Sequence, residues 1–234
     1  MLLLIFYPIF ATPFIRQAME NIVQKIAIYA IPILFGLSFH EYAHGFMADR
    51  LGDSTPRSMN RLSLNPLVHL DPIGTLVFFV TQAFGWAKPV SINPDNLALP
   101  RRDLMWIALA GPLANFILAI FCALLYQLLF NFFDAFTGLQ NTSWLTLPLR
   151  QMLIAAVAVN LSLGFINLIP IPPLDGGRIL AGILPQKPAA YLEKIDSYGA
   201  ILLLILVFSD GLNIVLLPLL STVTGLLLYG ATSF

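Results

Sequence analysis

IAIYAIPILFGLSFHEYAHGFMA, the stretch at residues 26–48, is apolar apart from two histidines and a glutamate near its end. As a helix it would be about 34 Å long, which is enough to cross a bilayer. Its ionisable side chains, tyrosine aside, are His40, Glu41 and His44. The stretch therefore predicts a membrane-spanning helix that carries polar chemistry within the bilayer.

The HEYAH motif places two imidazoles on one face of that helix, because His40 and His44 are four residues apart. Both rings can then reach one divalent ion, while Glu41 between them can hold a water molecule. The alternative is a polar cluster without a metal. An ionisable residue in a bilayer costs roughly 2.5–3.5 kcal/mol, so three are not expected to collect there without a partner. The motif predicts one bound Zn²⁺ per chain, with two ligands and a general base.

The composition is typical of a membrane protein, with 58% hydrophobic and 10% charged residues. A soluble domain carries about a quarter charged residues. Four stretches lack charge or nearly so: 26–48, 104–133, 151–174, and the region from 197 onward, which only Asp210 interrupts. The first three are each long enough to cross a bilayer, and the last fits a helical hairpin or a single tilted span. We expect an all-α polytopic membrane protein, with residues 185–234 as the C-terminal span or hairpin.

Basic residues predict the orientation of the chain. The segment 49–103 holds six of them and the segment 175–196 holds three, whereas 134–150 holds one. Both basic segments are therefore expected on the cytoplasmic side of a cell membrane, with the HEYAH end of the first span nearest the cytosol. Residues 1–25 begin with a hydrophobic run that has no basic start, so we expect an interfacial segment rather than a cleaved signal peptide.

A catalytic zinc needs a third protein ligand, and Asp175 is the strongest candidate. Other candidates are His69, Cys122 or another carboxylate. Asp175 follows the sequence PIPP at 170–173, whose prolines must break the third span. That break leaves two interpretations open: an aspartate facing inward toward a metal, or a solvated aspartate in an ordinary turn. Cys122 is interpreted as a small buried residue, and a single cysteine excludes an internal disulfide.

Three segments together resemble the site-2 protease family of intramembrane zinc metalloproteases. They are HEYAH at 40–44, AGPLAN at 110–115 and NLIPIPPLDGGR at 167–178. The resemblance covers the family's three-helix catalytic core, about residues 26–184, with 49–103 as a small β/loop segment on the cytoplasmic side. It implies that His40, His44 and Asp175 bind zinc and that Glu41 activates water. It is closest to the short forms that lack a PDZ domain and a CBS pair.

The resemblance implies regulated intramembrane proteolysis: hydrolysis of a peptide bond within or near the transmembrane helix of a substrate. The partners implied are membrane proteins or signal peptides and the lipid bilayer, and we expect no nucleic-acid partner. Two other functions remain open, a zinc-dependent transporter or channel and an inactive homologue that holds substrate. The sequence has no internal repeat of the kind transporters often show, and it keeps both the ligands and the base.

Several residues near the predicted site have two interpretations each. A substrate helix must unwind before cleavage, and the segment Trp86–Asn93, with Lys88, Pro89 and Val90, is either a strand edge that holds it or an interfacial loop. The preceding residues 72–87 are predicted to be re-entrant or interfacial. Asn167 either supports the oxyanion or bonds another helix, whereas Asn115 is expected in helix packing. His69 is expected in a loop near the interface.

Overall fold

The computed structural model describes residues 22–74, 87–132, 146–209 and 211–230. These residues are mostly helical, and they include no β-strand. The helices, numbered in chain order, are α1 Ile22–Arg50, α2 Thr55–Ser58, α3 Pro66–His69, α4 Pro100–Tyr126, α5 Thr146–Asn167, α6 Asp175–Ile183, α7 Gln186–Phe208 and α8 Gly211–Tyr229. A π-helix, Gln127–Phe132, continues α4, and a 3₁₀ turn covers Pro94–Asn96. The prediction of a helical fold is confirmed. The N-terminal segment 1–25 lies almost wholly outside the described residues.

Three helices, α1, α4 and α5, form the centre of the molecule, and each packs against the other two. Small residues allow this close approach. A Cβ on Gly36 of α1 would lie 2.9 Å from the Asn160 side chain of α5, and one on Gly164 of α5 would lie 2.5 Å from the Phe116 ring of α4. Glycine at these positions therefore lets the backbones come close enough for side chains on different helices to share one site.

Within the described part of the chain, two helices are long and apolar enough to cross a membrane, Pro100–Phe130 and Thr146–Asn167. The outer face of α4 and of the π-helix that continues it carries a stripe of exposed apolar side chains at helical spacing, which are Ile117, Phe121, Leu124 and Leu128. Each of them is at least 59% exposed. An exposed stripe of this kind suits contact with lipid rather than water. The total number of spans stays a prediction.

The C-terminal region forms two helices, α7 and α8, joined near residue 210. Whether residues 185–234 form a membrane hairpin or a single span stays a prediction. The Gln127 side chain, just past α4, donates hydrogen bonds to the carbonyls of Leu227 and Leu228, at 3.1 and 2.5 Å. These bonds join the last turn of α8 to the residue that follows α4.

The segment between α1 and α4 is held against the end of α1 by one carboxylate. Asp53 is fully buried and accepts hydrogen bonds from Thr55, Asn93 and Asn96, including 2.7 Å bonds from the Asn93 backbone and the Asn96 amide. Burial acts to raise the pKa of Asp53, but these hydrogen bonds outweigh it and hold the pKa below its ordinary value. Asp53 thereby fixes residues 88–96 beside the HEYAH end of α1.

The described part of the predicted β/loop segment consists of short helical turns and loops, without a β-strand. One isolated antiparallel bridge joins Leu70 to Ala87, and residues 88–93 run without regular structure. Residues 75–86, which include most of the predicted re-entrant element and Trp86, lie outside the described residues. The strand-edge interpretation of 86–93 therefore stays a prediction.

Candidate metal centre

Helix α1 places three polar side chains in the interior of the molecule, those of His40, Glu41 and His44. All three are at most 8% exposed. The Nε2 atoms of the two imidazoles lie 2.9 Å apart, as the spacing of four residues on a helix predicts.

Asp175 reaches the same point from the far end of the chain. Its Oδ2 lies 3.1 Å from His40 Nε2 and 3.3 Å from His44 Nε2. Helix α5 ends at Asn167, the proline-containing turn follows, and α6 begins at Asp175. The inward-facing interpretation of Asp175 agrees with this geometry, since its side chain is buried rather than solvated.

Two glycines allow the turn to fold back on the start of α6. A Cβ on Gly176 would lie 2.3 Å from the Ile169 carbonyl oxygen, and one on Gly177 would lie 2.6 Å from the Pro172 nitrogen. Any side chain at these positions would collide with backbone. The LDGG sequence is therefore needed for the turn that brings Asp175 to α1.

The hydrogen bonds of the imidazoles decide whether a metal fits here. His40 Nδ1 lies 2.7 Å from Asn115 Oδ1, and His44 Nδ1 lies 2.7 Å from the Ile107 carbonyl oxygen. Both partners are acceptors, so we assign the ring protons to Nδ1, which leaves a lone pair on each Nε2. Asp175 Oδ2 faces these lone pairs and is buried without a hydrogen-bond partner.

Three electron-pair donors that face one another without a proton between them repel, and a cation removes that repulsion. Their ligand atoms all lie within 4.8 Å of one another. Tetrahedral zinc with bonds of about 2.0–2.1 Å to nitrogen places its ligand atoms roughly 3.3 Å apart. The two histidines and Asp175 therefore fit zinc, and they leave the fourth position for water or substrate.

Asn115 holds the His40 ring and joins all three central helices. Its amide nitrogen donates to the Gly36 carbonyl at 3.0 Å and to Asn160 Oδ1 at 2.9 Å. Asn160 in turn donates to the Ala156 carbonyl at 2.8 Å. These bonds fix the amide so that Oδ1 points at His40. The expected helix-packing role of Asn115 is present, but sequence reasoning missed its contact with the ligand. The signal was there, because a buried amide in an apolar span requires partners.

Gly111 is a second residue whose position at the site was missed. A Cβ on Gly111 would lie 2.5 Å from His44 Nε2 and 2.6 Å from His40 Cε1. Helix α4 therefore passes directly against both imidazoles. The sequence pattern indicated only a small residue for helix packing.

Glu41 contacts the predicted substrate-edge segment. The Val90 backbone N–H donates to Glu41 Oε2 at 2.8 Å. Val90 is buried, while Lys88 and Pro89 are exposed. The Lys88 N–H donates to the His69 carbonyl at 2.8 Å. Residues 88–90 thus lie beside the glutamate, and one of their backbone donors is already used to hold it.

The remaining candidates lie apart from the three ligands. Among the described residues, His40, His44 and Asp175 are the one cluster of His, Cys, Asp or Glu side chains placed to share a metal. His69 was expected in a loop, but it is the last residue of the short helix α3; it is buried, and its Nε2 lies 2.7 Å from the Ser63 carbonyl oxygen. Asn167 donates to the Leu163 carbonyl of its own helix at 2.9 Å. Cys122 is a buried free thiol, as expected.

A helical core with a buried HExxH pair and an aspartate from a distant turn defines a class of protein, the zinc metalloproteases. The chain belongs to peptidase family M50, whose family model matches residues 28–207. This is the site-2 protease family that the three motifs resemble, and the prediction of the family is confirmed.

Proteins similar to this chain come from bacteria and an archaeon. The chain is 35% identical to the candidate zinc metalloprotease YwhC of Bacillus subtilis, over 82% of this chain and 84% of the relative. It is 28% identical to the candidate zinc metalloprotease Rip2 of Mycobacterium tuberculosis, over 77% of this chain and 66% of the relative. It is 33% identical to a zinc metalloprotease of Methanocaldococcus jannaschii, over 69% of this chain and 35% of that longer protein. No solved structure matches the chain.

Proposed function

We propose that this protein is an intramembrane zinc endopeptidase, which hydrolyses a peptide bond within or near the transmembrane helix of its substrate. The observation that carries the proposal is the convergence of His40, His44 and Asp175 beside the buried Glu41. Membership of peptidase family M50 supports the same activity. The substrates we propose are membrane proteins of the regulatory kind or residual signal peptides.

The three ligands and the base divide the chemistry between them. When bound, zinc supplies a Lewis acid for the scissile carbonyl and lowers the pKa of a coordinated water. Glu41 takes a proton from the attacking water and passes it to the leaving amine nitrogen. Val90 holds one oxygen of the Glu41 carboxylate, so that the other oxygen is free to face the water. Asn115 and the Ile107 carbonyl keep both imidazoles oriented toward the metal.

The substrate must present an unwound segment, because a helix hides its carbonyls in its own hydrogen bonds. The segment Lys88–Val90 is our proposal for its edge, since it runs beside Glu41 and its first two residues are exposed. Asn167 is a candidate support for the oxyanion or the peptide backbone. In that role the Asn167 amide would give up its hydrogen bond to the Leu163 carbonyl and donate to the substrate instead.

We further propose a multi-pass arrangement in a cell membrane, with the zinc site toward the cytoplasm. The apolar helices α4 and α5 and the distribution of basic residues support it. Water then reaches the metal from the side of the 49–103 loop, which contacts the site through Val90.

A cleavage assay in proteoliposomes tests the activity. The purified chain is reconstituted with zinc and a single-span peptide, and products are identified by mass spectrometry with and without a chelator. We expect cleavage that stops on chelation and returns when zinc is restored. Zinc-dependent movement of ions across the vesicle without any cleavage would instead favour a transporter. Peptide binding without cleavage would indicate an inactive homologue.

A further inference from the structure

A cavity of about 330 Å³ opens beside the metal centre. Its walls come from α4, α6, α7 and the segment that follows Val90, and most of its lining is apolar. The apolar residues that matter here are Val90, Ile92, Leu104, Ala181 and Leu192. The cavity is large enough for a few residues of extended peptide, which is the form in which a protease takes its substrate.

Residues next to the candidate metal centre also line the cavity. Val90 lines it and also donates its N–H to Glu41. Pro172 and Gly177 line it as well, and they flank the ligand Asp175 in sequence. A peptide whose scissile carbonyl lies at the metal would therefore enter this cavity on one side of the cleavage point.

Two arginines line the cavity and give it a positive charge. They differ in their hydrogen bonds. Arg101 donates to the carbonyls of Ala181 and Leu184, at 2.9 and 2.6 Å, so it caps the end of α6. Arg178 is exposed, and among the side chains that the structure describes its guanidinium has no hydrogen-bond or ion-pair partner. The described lining contains no aspartate or glutamate. A cation without a partner among the described side chains, in a cavity whose other lining residues apart from Arg101 are apolar or glycine, favours an anionic group on whatever binds there.

The distance from the metal suggests which part of a substrate would meet Arg178. Arg178 follows Asp175 by three residues, which is about 4.5 Å along α6. An extended peptide advances about 3.3 Å per residue, and both side chains add reach. An acidic residue about two to four positions from the scissile bond would bring its carboxylate to the guanidinium.

We propose that Arg178 is a specificity-determining residue that receives an acidic side chain of the substrate in this cavity. The inference rests on the proposed protease function and adds the substrate class: unwound peptides with Asp or Glu close to one side of the cleavage point. Arg178 acts in binding, and the metal ligands and Glu41 do not depend on it.

A peptide panel tests the assignment. The peptides are identical single-span sequences with Glu, Ala or Lys at each position two to four residues from the scissile bond. Cleavage by the reconstituted zinc protein gives kcat/KM, and binding to the Glu41→Gln variant is measured separately by fluorescence anisotropy. At one position we expect the wild type to favour Glu over Lys by about tenfold, as for a charge-assisted hydrogen bond. Arg178→Ala should abolish the preference and Arg178→Glu should reverse it.

Arg102→Ala is the matched control, because Arg102 is an exposed arginine on α4 that does not line the cavity. It should keep the preference of the wild type. An unchanged Glu-to-Lys ratio in Arg178→Ala would overturn the assignment while leaving the protease intact. A loss equal for all peptides that depends on anionic lipid would also overturn it and assign Arg178 to a headgroup. If binding depended on the charge of the peptide but no variant cleaved it, the anion-binding role of Arg178 would be supported and the proposed protease function would be contradicted.

Discussion

The backbone N–H of Val90 donates to Glu41 Oε2 over 2.8 Å, which joins the loop before α4 to the proposed base on α1. A backbone donor is a firm anchor, since it does not depend on a rotamer. The contact leaves the Glu41 carboxylate with one oxygen held and one available, and it makes the position of the loop part of the catalytic geometry.

Removal of that donor tests its role. Val90→Pro deletes the N–H, whereas Val90→Ala keeps it and only shortens the side chain. We expect Val90→Pro to lower kcat at least tenfold with zinc still bound, because the base loses its orientation. Val90→Ala should retain most of the activity. Zinc content and initial rates measure both effects, and equal rates in the two variants would show that the hydrogen bond does not matter.

Asn115 should control zinc affinity through His40. Asn115→Leu removes the acceptor that fixes the His40 ring, and loss of such a partner typically costs 10- to 100-fold in metal affinity. Titration against a competing chelator measures this loss. Ser162→Ala serves as the control, because Ser162 is also buried in the core but bonds only the Ala158 carbonyl. If both variants held zinc equally well, the proposed support of His40 would be wrong.

Gly111 should tolerate no side chain. The Cβ of Gly111→Ala would lie 2.5 Å from the His44 ring, so one or both imidazoles must move. We expect loss of most bound zinc and of cleavage, with the helical content unchanged by circular dichroism. Leu113→Ala, two residues along the same helix and 47% exposed, should behave like the wild type. Normal zinc binding by Gly111→Ala would contradict the packing of α4 against the site.

The Asp53 carboxylate should make stability depend on acid pH. Its folded pKa is depressed, so its contribution is present above the unfolded pKa of about 3.9 and is lost as pH falls through the folded value. Asp53→Asn should lower Tm in detergent by about 5 °C at pH 7. The difference from the wild type should shrink below pH 4. The control Asp95→Asn alters an exposed carboxylate nearby. A difference that stayed constant down to pH 3 would argue against the depressed pKa.

Sequence patterns predicted the parts of the site that lie within one helix. The spacing of His40 and His44 determines that their rings meet, because the helix repeats every 3.6 residues. The role of Asp175 could not be predicted in this way. The proline-containing turn was equally compatible with a solvated aspartate, and only the family resemblance indicated a metal ligand. The contact of Asp175 with α1 joins residues more than 130 positions apart. That contact depends on how Gly176 and Gly177 pack against the turn, which no periodicity encodes.

Residues that act across helices could not be placed from the sequence. Asn115 and Gly111 were recognised as small or polar packing residues of α4. Their contact with the imidazoles depends on the register between α1 and α4, which the packing of three helices sets. The Val90 donor is a backbone atom in a loop and has no residue-type signal at all. The helical character of the fold was predictable from the apolar stretches, whereas these contacts depend on how the helices pack.

We expect Glu41 to perform the proton transfers at a zinc held by His40, His44 and Asp175. The most direct test of this role is to measure zinc content and cleavage together in Glu41→Gln, since glutamine keeps the size of the side chain but cannot accept the proton. We predict one zinc per chain, as in the wild type, and no detectable cleavage of the membrane peptide. Full cleavage by that variant would contradict the mechanism.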